Sequence, residues 1–314
     1  MEVPRFELEE KNSETKEKSD LPEQKQDERK DEDVPKDEYE PRDVYENEQK
    51  DEYRNEKKDE QKKEQQLETI EDVQKNDSSD NAQRNLLNNK KYGWGYKKQK
   101  NLPPIVSQAT IDLLEKYDAI YRKNTDEKVL FLTFDEGYEN GYTPVILDVL
   151  KEHQVPAAFF ITGPYLKKNP DLVKRMVEEG HIVGNHTVNH PSMPEVLDDA
   201  KLEEELLGLD RSFYEMFQSN MKYVRPPKGE YSERTLALTQ SLGYKTVFWS
   251  FAYVDWDVNN QKGADYAYQQ VMDGIHNGAI LLLHAVSKDN AEALGKIIQD
   301  ARAAGYQFKS LDEF

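Results

Sequence analysis

The sequence predicts an α/β protein in which about seven or eight parallel strands close into an irregular (β/α) barrel, preceded by a disordered, charged tail. Three observations predict it: short apolar runs alternate regularly with amphipathic stretches, the runs are rich in branched and aromatic residues, and the globular portion has the length of one barrel. In order, "KVLFLTF" (128–134) reads as a buried strand and "TPVILDVLKEHQV" as a helix, with Pro144 near its start and Val145, Val149 and Leu150 at helical spacing. "AAFFIT" precedes "PYLKKNPDLVKRMVEEG", which stops at Gly180 as helix C-termini often do. Then come "HIVGN", the long "VLDDAKLEEELLGLDRSFYEMFQ", "KYVRPP", "SERTLALTQSLG", "KTVFWS", "ADYAYQQVMDGIHNG", "AILLLH", "KDNAEALGKIIQDARAAG" and "YQFKSL". Strands interleaved with helices imply right-handed crossovers and a parallel sheet covered on both faces.

Composition divides the 314-residue chain in two. Residues 1–90 contain no glycine, four aromatics (Phe6, Tyr39, Tyr45, Tyr53), and 30 Asp and Glu against 18 Lys and Arg, which is −12 of the chain's net charge of −19. Such a segment cannot bury enough apolar surface to offset its ordering entropy, so residues 1–90 are expected to form a disordered acidic tail and 91–314 a single domain. Zero cysteines exclude disulfides, thiolate metal sites and cysteine nucleophiles, leaving carboxylates, histidines and hydroxyls to carry any chemistry. The acidic balance, with no basic stripe, argues against nucleic acid as a partner. No stretch is long and apolar enough for a transmembrane segment, and "MEVPRFELEE" lacks the pattern of a secretion signal. Neither a dinucleotide-binding G-x-G-x-x-G after the first strand nor a P-loop is present.

In a barrel the chemistry gathers at the carboxyl ends of the strands. Asp135 and Glu136 end the first run, His186 and His190 follow "HIVGN", and Arg225 follows "KYV". Asp255 and Trp256 come shortly after "TVFWS", and His284 closes "AILLLH". His186 and His190 are four residues apart and share one face if their segment is helical or tightly turned. Joined to a strand-end carboxylate, they match the two-histidine, one-carboxylate pattern that binds Zn²⁺ or another divalent ion (Mn²⁺, Mg²⁺, Co²⁺) while leaving positions open. His153, His181 and His276 read as surface or structural residues.

"TFDEGYENG", "HTVNH", "RPPKG", "DW" and "LLLH", in this order, resemble the five motifs of the polysaccharide deacetylases, carbohydrate esterase family 4, the NodB-homology domain. "LTFDEGYENGYTP", "VFWSFAYVDWDVNNQKG" and "LLLHAVSKDNAEAL" are similar to the delta-lactam-biosynthetic N-acetylmuramic acid deacetylases of Bacillus-type spore cortex. The resemblance covers about residues 90–314 and implies a metal-dependent hydrolase of peptidoglycan N-acetyl groups. It implies Asp135 as general base oriented by Arg225, His284 as general acid tuned by Asp255, and His186 and His190 as metal ligands. Trp256 and Leu282 would form the slot for the acetyl methyl, and the backbone N–H of Lys228 would point at the oxyanion.

Two departures from the family pattern bear on the site. Most members carry Asp where Glu136 stands, so Glu136 is expected to complete the metal site only if its longer side chain reaches. Lys228 replaces a more common Tyr, and its ammonium would pair with the lactyl carboxylate of muramic acid. Peptidoglycan glycan strands are therefore the expected partner, met by a monomer in an extracytoplasmic compartment, cell wall or spore cortex, as the family implies. Two alternatives stay open: an N-acetylglucosamine deacetylase, or a wall-binding protein whose impaired metal site survives as a glycan groove.

Overall fold

The computed structural model describes residues 86–314; the tail expected over 1–90 lies, as far as residue 85, outside the described residues. The elements that frame the site begin with the short strands β1 (Tyr92–Gly93), β2 (Lys97–Gln99) and β3 (Leu102–Ile105) and helix α1 (Gln108–Lys116). The repeating units follow: β4 (Val129–Glu136), α2 (Thr143–His153), β5 (Ala157–Ile161), α3 (Gly163–Lys168), α4 (Pro170–Glu178), β6 (Ile182–Asn185) and α5 (Asp199–Phe217). Next are β7 (Tyr223–Val224), β8 (Glu230–Tyr231), α6 (Glu233–Ser241), β9 (Lys245–Thr246), α7 (Ala264–Gly274), β10 (Ala279–His284), α8 (Lys288–Ala303) and β11 (Gln307–Phe308).

Seven strands form one parallel sheet in the order β10-β4-β5-β6-β7-β9, with β11 pairing the start of β4. The sheet curls on itself but gains no eighth strand. After β9 the chain makes isolated parallel bridges, Val247 to Ile120 and Phe251 to Leu281, and Leu282 N–H donates to the Phe251 carbonyl at 2.9 Å. Between β9 and β10 the sheet is thus joined by isolated bridges, these two and Arg122 to Ala279, the Phe251–Leu281 bridge lying beside the loop that carries Asp255 and Trp256.

Helices cover the outer face, and apolar side chains fill the curl. Strand side chains alternate between these faces with period two. Leu130, Leu132 and Phe134 of β4 join the outer core against the helices, with Phe159 and Ile161 of β5. Val129 and Phe131 point inward with Ala158, Phe160, Val247 and Ile280. Because both faces are covered, all eight residues of β4 are buried, the two acids included.

Some local expectations shift. In α2, Ile146, Leu147 and Leu150 are buried, while Val145, expected on the apolar stripe, is 44% exposed. The stripe runs i, i+1, i+4 from Ile146, one residue later than expected. The segment expected to be one helix ending at Gly180 is two, because Pro170 cannot continue α3 and instead opens α4.

Candidate active site

The inward line of side chains at the carboxyl ends of the strands builds the site. Its base is an ion pair between β4 and the residue that follows β7. Asp135 follows Phe131 and Thr133 on the inner face, and its Oδ1 accepts from Arg225 Nη1 at 2.7 Å. Arg225 is fully buried and has no freedom to leave: Nε donates to the Val247 carbonyl at 3.1 Å, and the guanidinium lies 4.1 Å above the Phe160 ring. That ring in turn occupies the space a side chain at Gly184 would need, since a Cβ there would come within 2.6 Å of it. Burial alone would raise the Asp135 pKa, but the charge of Arg225, helped by His186 and His284, holds it below the ordinary carboxylate value.

His186 and His190 stand on a tight turn, not a helix. Thr187 and His190 adopt left-handed φ values of 67° and 57°. Asn185 Oδ1 accepts from Thr187 N–H at 2.8 Å and Thr187 Oγ1 from His190 N–H at 2.9 Å, which braces the turn. The two rings end up edge to face with centroids 4.8 Å apart. The His186 Nδ1–H donates to the Arg225 carbonyl at 2.7 Å, so the bare Nε2 faces Asp135 Oδ2 at 3.5 Å. Burial pushes the His186 pKa down to about 4, against the pull of Asp135, so this ring is a neutral acceptor at neutral pH.

Opposite stands the second dyad. Asp255 Oδ1 accepts from His284 Nδ1 at 2.7 Å, and Asp255 Oδ2 accepts from the His284 backbone N–H at 2.8 Å. Burial disfavours the charged imidazole, yet the Asp255 carboxylate outweighs it and raises the His284 pKa above its ordinary value. Asp135, His186, His190, Lys228, Trp256, Leu282 and His284 line one cleft, together with Gly229, Trp249, Ala252 and Tyr253. Arg225 and Asp255 lie behind it, 0% and 2% exposed. Lys228 sits at φ 58°, ψ 8°, on a turn held by the residue that follows β1: Trp94 N–H donates to the Gly229 carbonyl at 2.8 Å and Trp94 Nε1 to that of Trp249 at 2.9 Å. Gly229 is required there, because a Cβ would come 2.9 Å from the Trp249 ring.

Glu136 is the expected site residue that the structure does not bring in. Its place on β4 gives it the outward face of Leu132 and Phe134, where Oε1 meets Thr143 Oγ1 at 3.5 Å and Oε2 is buried without a partner. Burial, with the charges of Glu139 and Asp135 adding to it, lifts its pKa well above that of an ordinary glutamate. Among the described residues no three His, Asp or Glu side chains converge as a metal site. The donor set is thus two imidazoles and a carboxylate committed to Arg225, and it does not fit the expected site with Glu136 as ligand. Tyr253 and Asn290 were not anticipated; the signal for Asn290 was its place in the first turn of a helix after a strand-end histidine.

An α/β barrel with a low-pKa carboxylate and a raised-pKa histidine facing across one cleft is the arrangement of a hydrolase that needs both a base and an acid. Comparison with known proteins specifies the kind. The polysaccharide deacetylase family model matches residues 122–247. The peptidoglycan-N-acetylmuramic acid deacetylase PdaA of Bacillus subtilis is 49% identical over 235 residues, 74% of this chain and 89% of that protein. A peptidoglycan-N-acetylglucosamine deacetylase of Bacillus cereus is 34% identical over 191 residues, 60% of this chain and 88% of that protein. The solved structure of Bacillus subtilis PdaA, a family 4 carbohydrate esterase, superposes with a TM-score of 0.71 at 48% identity, covering 72% of this chain and 97% of that one. The chain belongs to the polysaccharide deacetylase family and is a polysaccharide N-deacetylase.

Proposed function

We propose that this protein removes acetyl groups from peptidoglycan glycan strands, with N-acetylmuramic acid units as the substrate, on the route to muramic delta-lactam in spore cortex. The observation that carries the reading is the pair of oppositely tuned dyads: Asp135 with Arg225 and His284 with Asp255, on facing sides of one cleft. Similarity to a peptidoglycan-N-acetylmuramic acid deacetylase supports the sugar, and Lys228 at the rim supplies a cation for the lactyl carboxylate.

Asp135, kept ionised by Arg225, takes a proton from a water whose oxygen attacks the acetyl carbonyl carbon. The bare Nε2 of His186 accepts the water's other hydrogen bond and so orients it. The backbone N–H of Lys228, which lines the cleft, stabilises the resulting oxyanion. Protonated His284 then gives its proton to the sugar nitrogen as the C–N bond breaks, leaving acetate and a free amine. Leu282 and Trp256 hold the acetyl methyl and exclude other water. The protein works as a monomer in an extracytoplasmic compartment; no helix among the described residues is long and apolar enough to cross a membrane.

The test is acetate release from peptide-free glycan strands, measured after chelation and after adding Zn²⁺, Mn²⁺, Mg²⁺ or Co²⁺. Release that disappears in His284→Gln supports the reading. Glycan binding with no release under any condition would replace it with a wall-binding role.

A further inference from the structure

Behind His284 a hydrogen-bond chain continues past Asp255 to two residues with no role in the proposed mechanism, Asn290 and Tyr253. Asp255 Oδ2 accepts a second bond, from Asn290 Nδ2 at 2.6 Å, and the same nitrogen lies 3.3 Å from the His284 carbonyl. Asn290 is 1% exposed in the first turn of α8, where its N–H donates to the N-cap Ser287 Oγ at 3.2 Å. Its Oδ1 accepts from the hydroxyl of Tyr253, whose ring lines the cleft. An amide has one donating and one accepting end. Turned round, Asn290 would set its oxygen against the Asp255 carboxylate, so the two neighbours together fix its orientation.

The chain differs in kind from what holds Asp135. Asp135 owes its charge to a guanidinium, whereas Asp255 is stabilised by neutral donors, the Asn290 amide and the His284 backbone N–H. Among the described residues, His284 is the only basic side chain within ion-pair distance of Asp255. An arginine at this place would neutralise Asp255 and weaken its pull on the histidine's proton; an amide fixes the carboxylate without doing so. Of the other charged groups that act on His284, Asp135 favours its protonation, whereas Arg225 and His190 oppose it.

We propose that Asn290 is a positioning residue for the His284–Asp255 dyad, held in its working orientation by the Tyr253 hydroxyl. It makes no contact with the reacting atoms; it holds Asp255 where the carboxylate can keep His284 protonated. The proposal rests on the reading of His284 as the acid, and two separate measurements keep the two apart.

The experiment follows the His284 imidazole by NMR across pH in the full chain, assigned with His284→Gln, for wild type, Tyr253→Phe, Asn290→Leu and the double variant. In parallel, kcat and KM for acetate release are measured against pH. The midpoint of His284 is expected to move to lower pH in both single variants, further in Asn290→Leu, and the double variant to match Asn290→Leu. The basic limb of the kcat profile moves the same way and kcat falls about tenfold with KM unchanged. An unmoved midpoint in the folded variants overturns the proposal, whatever the activity. A moved midpoint with an unaltered kcat profile upholds the positioning role and counts against His284 as the acid. Should Asn290→Leu fail to fold, Asn290→Ser, too short to span the bond to Asp255, takes its place beside Tyr253→Phe under the same criteria.

Discussion

The two faces of β4 carry adjacent carboxylates with opposite fates. Asp135 and Glu136 are consecutive, both buried in the same strand, and both would be neutral on burial alone. On the inner face Asp135 meets Arg225 and its pKa is held low; on the outer face Glu136 meets Thr143 and the charge of Glu139, and its pKa is driven up. What decides protonation is the partner that the opposite wall of the fold supplies, and burial only makes that partner matter more. One face is thereby chemical and the other structural.

The largest test of this contrast removes the inner carboxylate. Asp135→Asn keeps the shape and loses the base, and acetate release should fall by about 10²- to 10⁴-fold; wild-type rates would mean that the chemistry lies elsewhere. Removing the partner comes next. Arg225→Met leaves Asp135 buried without a counter-charge, and urea unfolding should show a loss of about 3–5 kcal/mol. A loss below 1 kcal/mol would show that solvent already shields the pair.

On the outer face the sign reverses. Glu136 has a folded-state pKa above its unfolded value, so in the folded state it holds its proton to higher pH. Its favourable contribution is complete below the unfolded pKa and is lost as pH rises toward the folded one. Glu136→Gln removes that dependence. The variant should retain acetate release and melt higher than wild type at neutral pH, with a gap that closes near pH 4 and opens by about 1.4 kcal/mol per pH unit between the two pKa values. Collapse of activity in this variant would return Glu136 to the site as a ligand. The smallest effect is expected at the rim: because Lys228 is exposed, Lys228→Ala should reduce preference for muramic over glucosamine strands by only about two- to fivefold. Unchanged preference would remove Lys228 from substrate selection.

Much of the contrast was already present in "LFLTFDE". Period two puts Glu136 with Leu130, Leu132 and Phe134 and Asp135 with Phe131, so the outward aim of Glu136 could be read from alternation alone; expecting a metal ligand set family analogy above that rule. The order of strands and helices, and the gathering of polar groups at strand ends, followed from hydrophobic periodicity because each element buries its own local face. Val145 shows the limit of that method. Periodicity finds a stripe, and the sheet beneath decides which edge of the stripe it covers.

By itself the sequence determined the alternation of strands and helices, the acidic composition of residues 1–90, and the residue types available at the strand ends. These depend on interactions between neighbours a few positions apart, or on composition. The tertiary structure alone decided that isolated bridges close the barrel beside β10, that the Arg225 guanidinium is locked between Asp135, the Val247 carbonyl and the Phe160 ring, and that the Asn290 amide joins Asp255 to Tyr253. Each of these joins segments tens of residues apart, and one sequence contains no local periodicity that could encode such a contact.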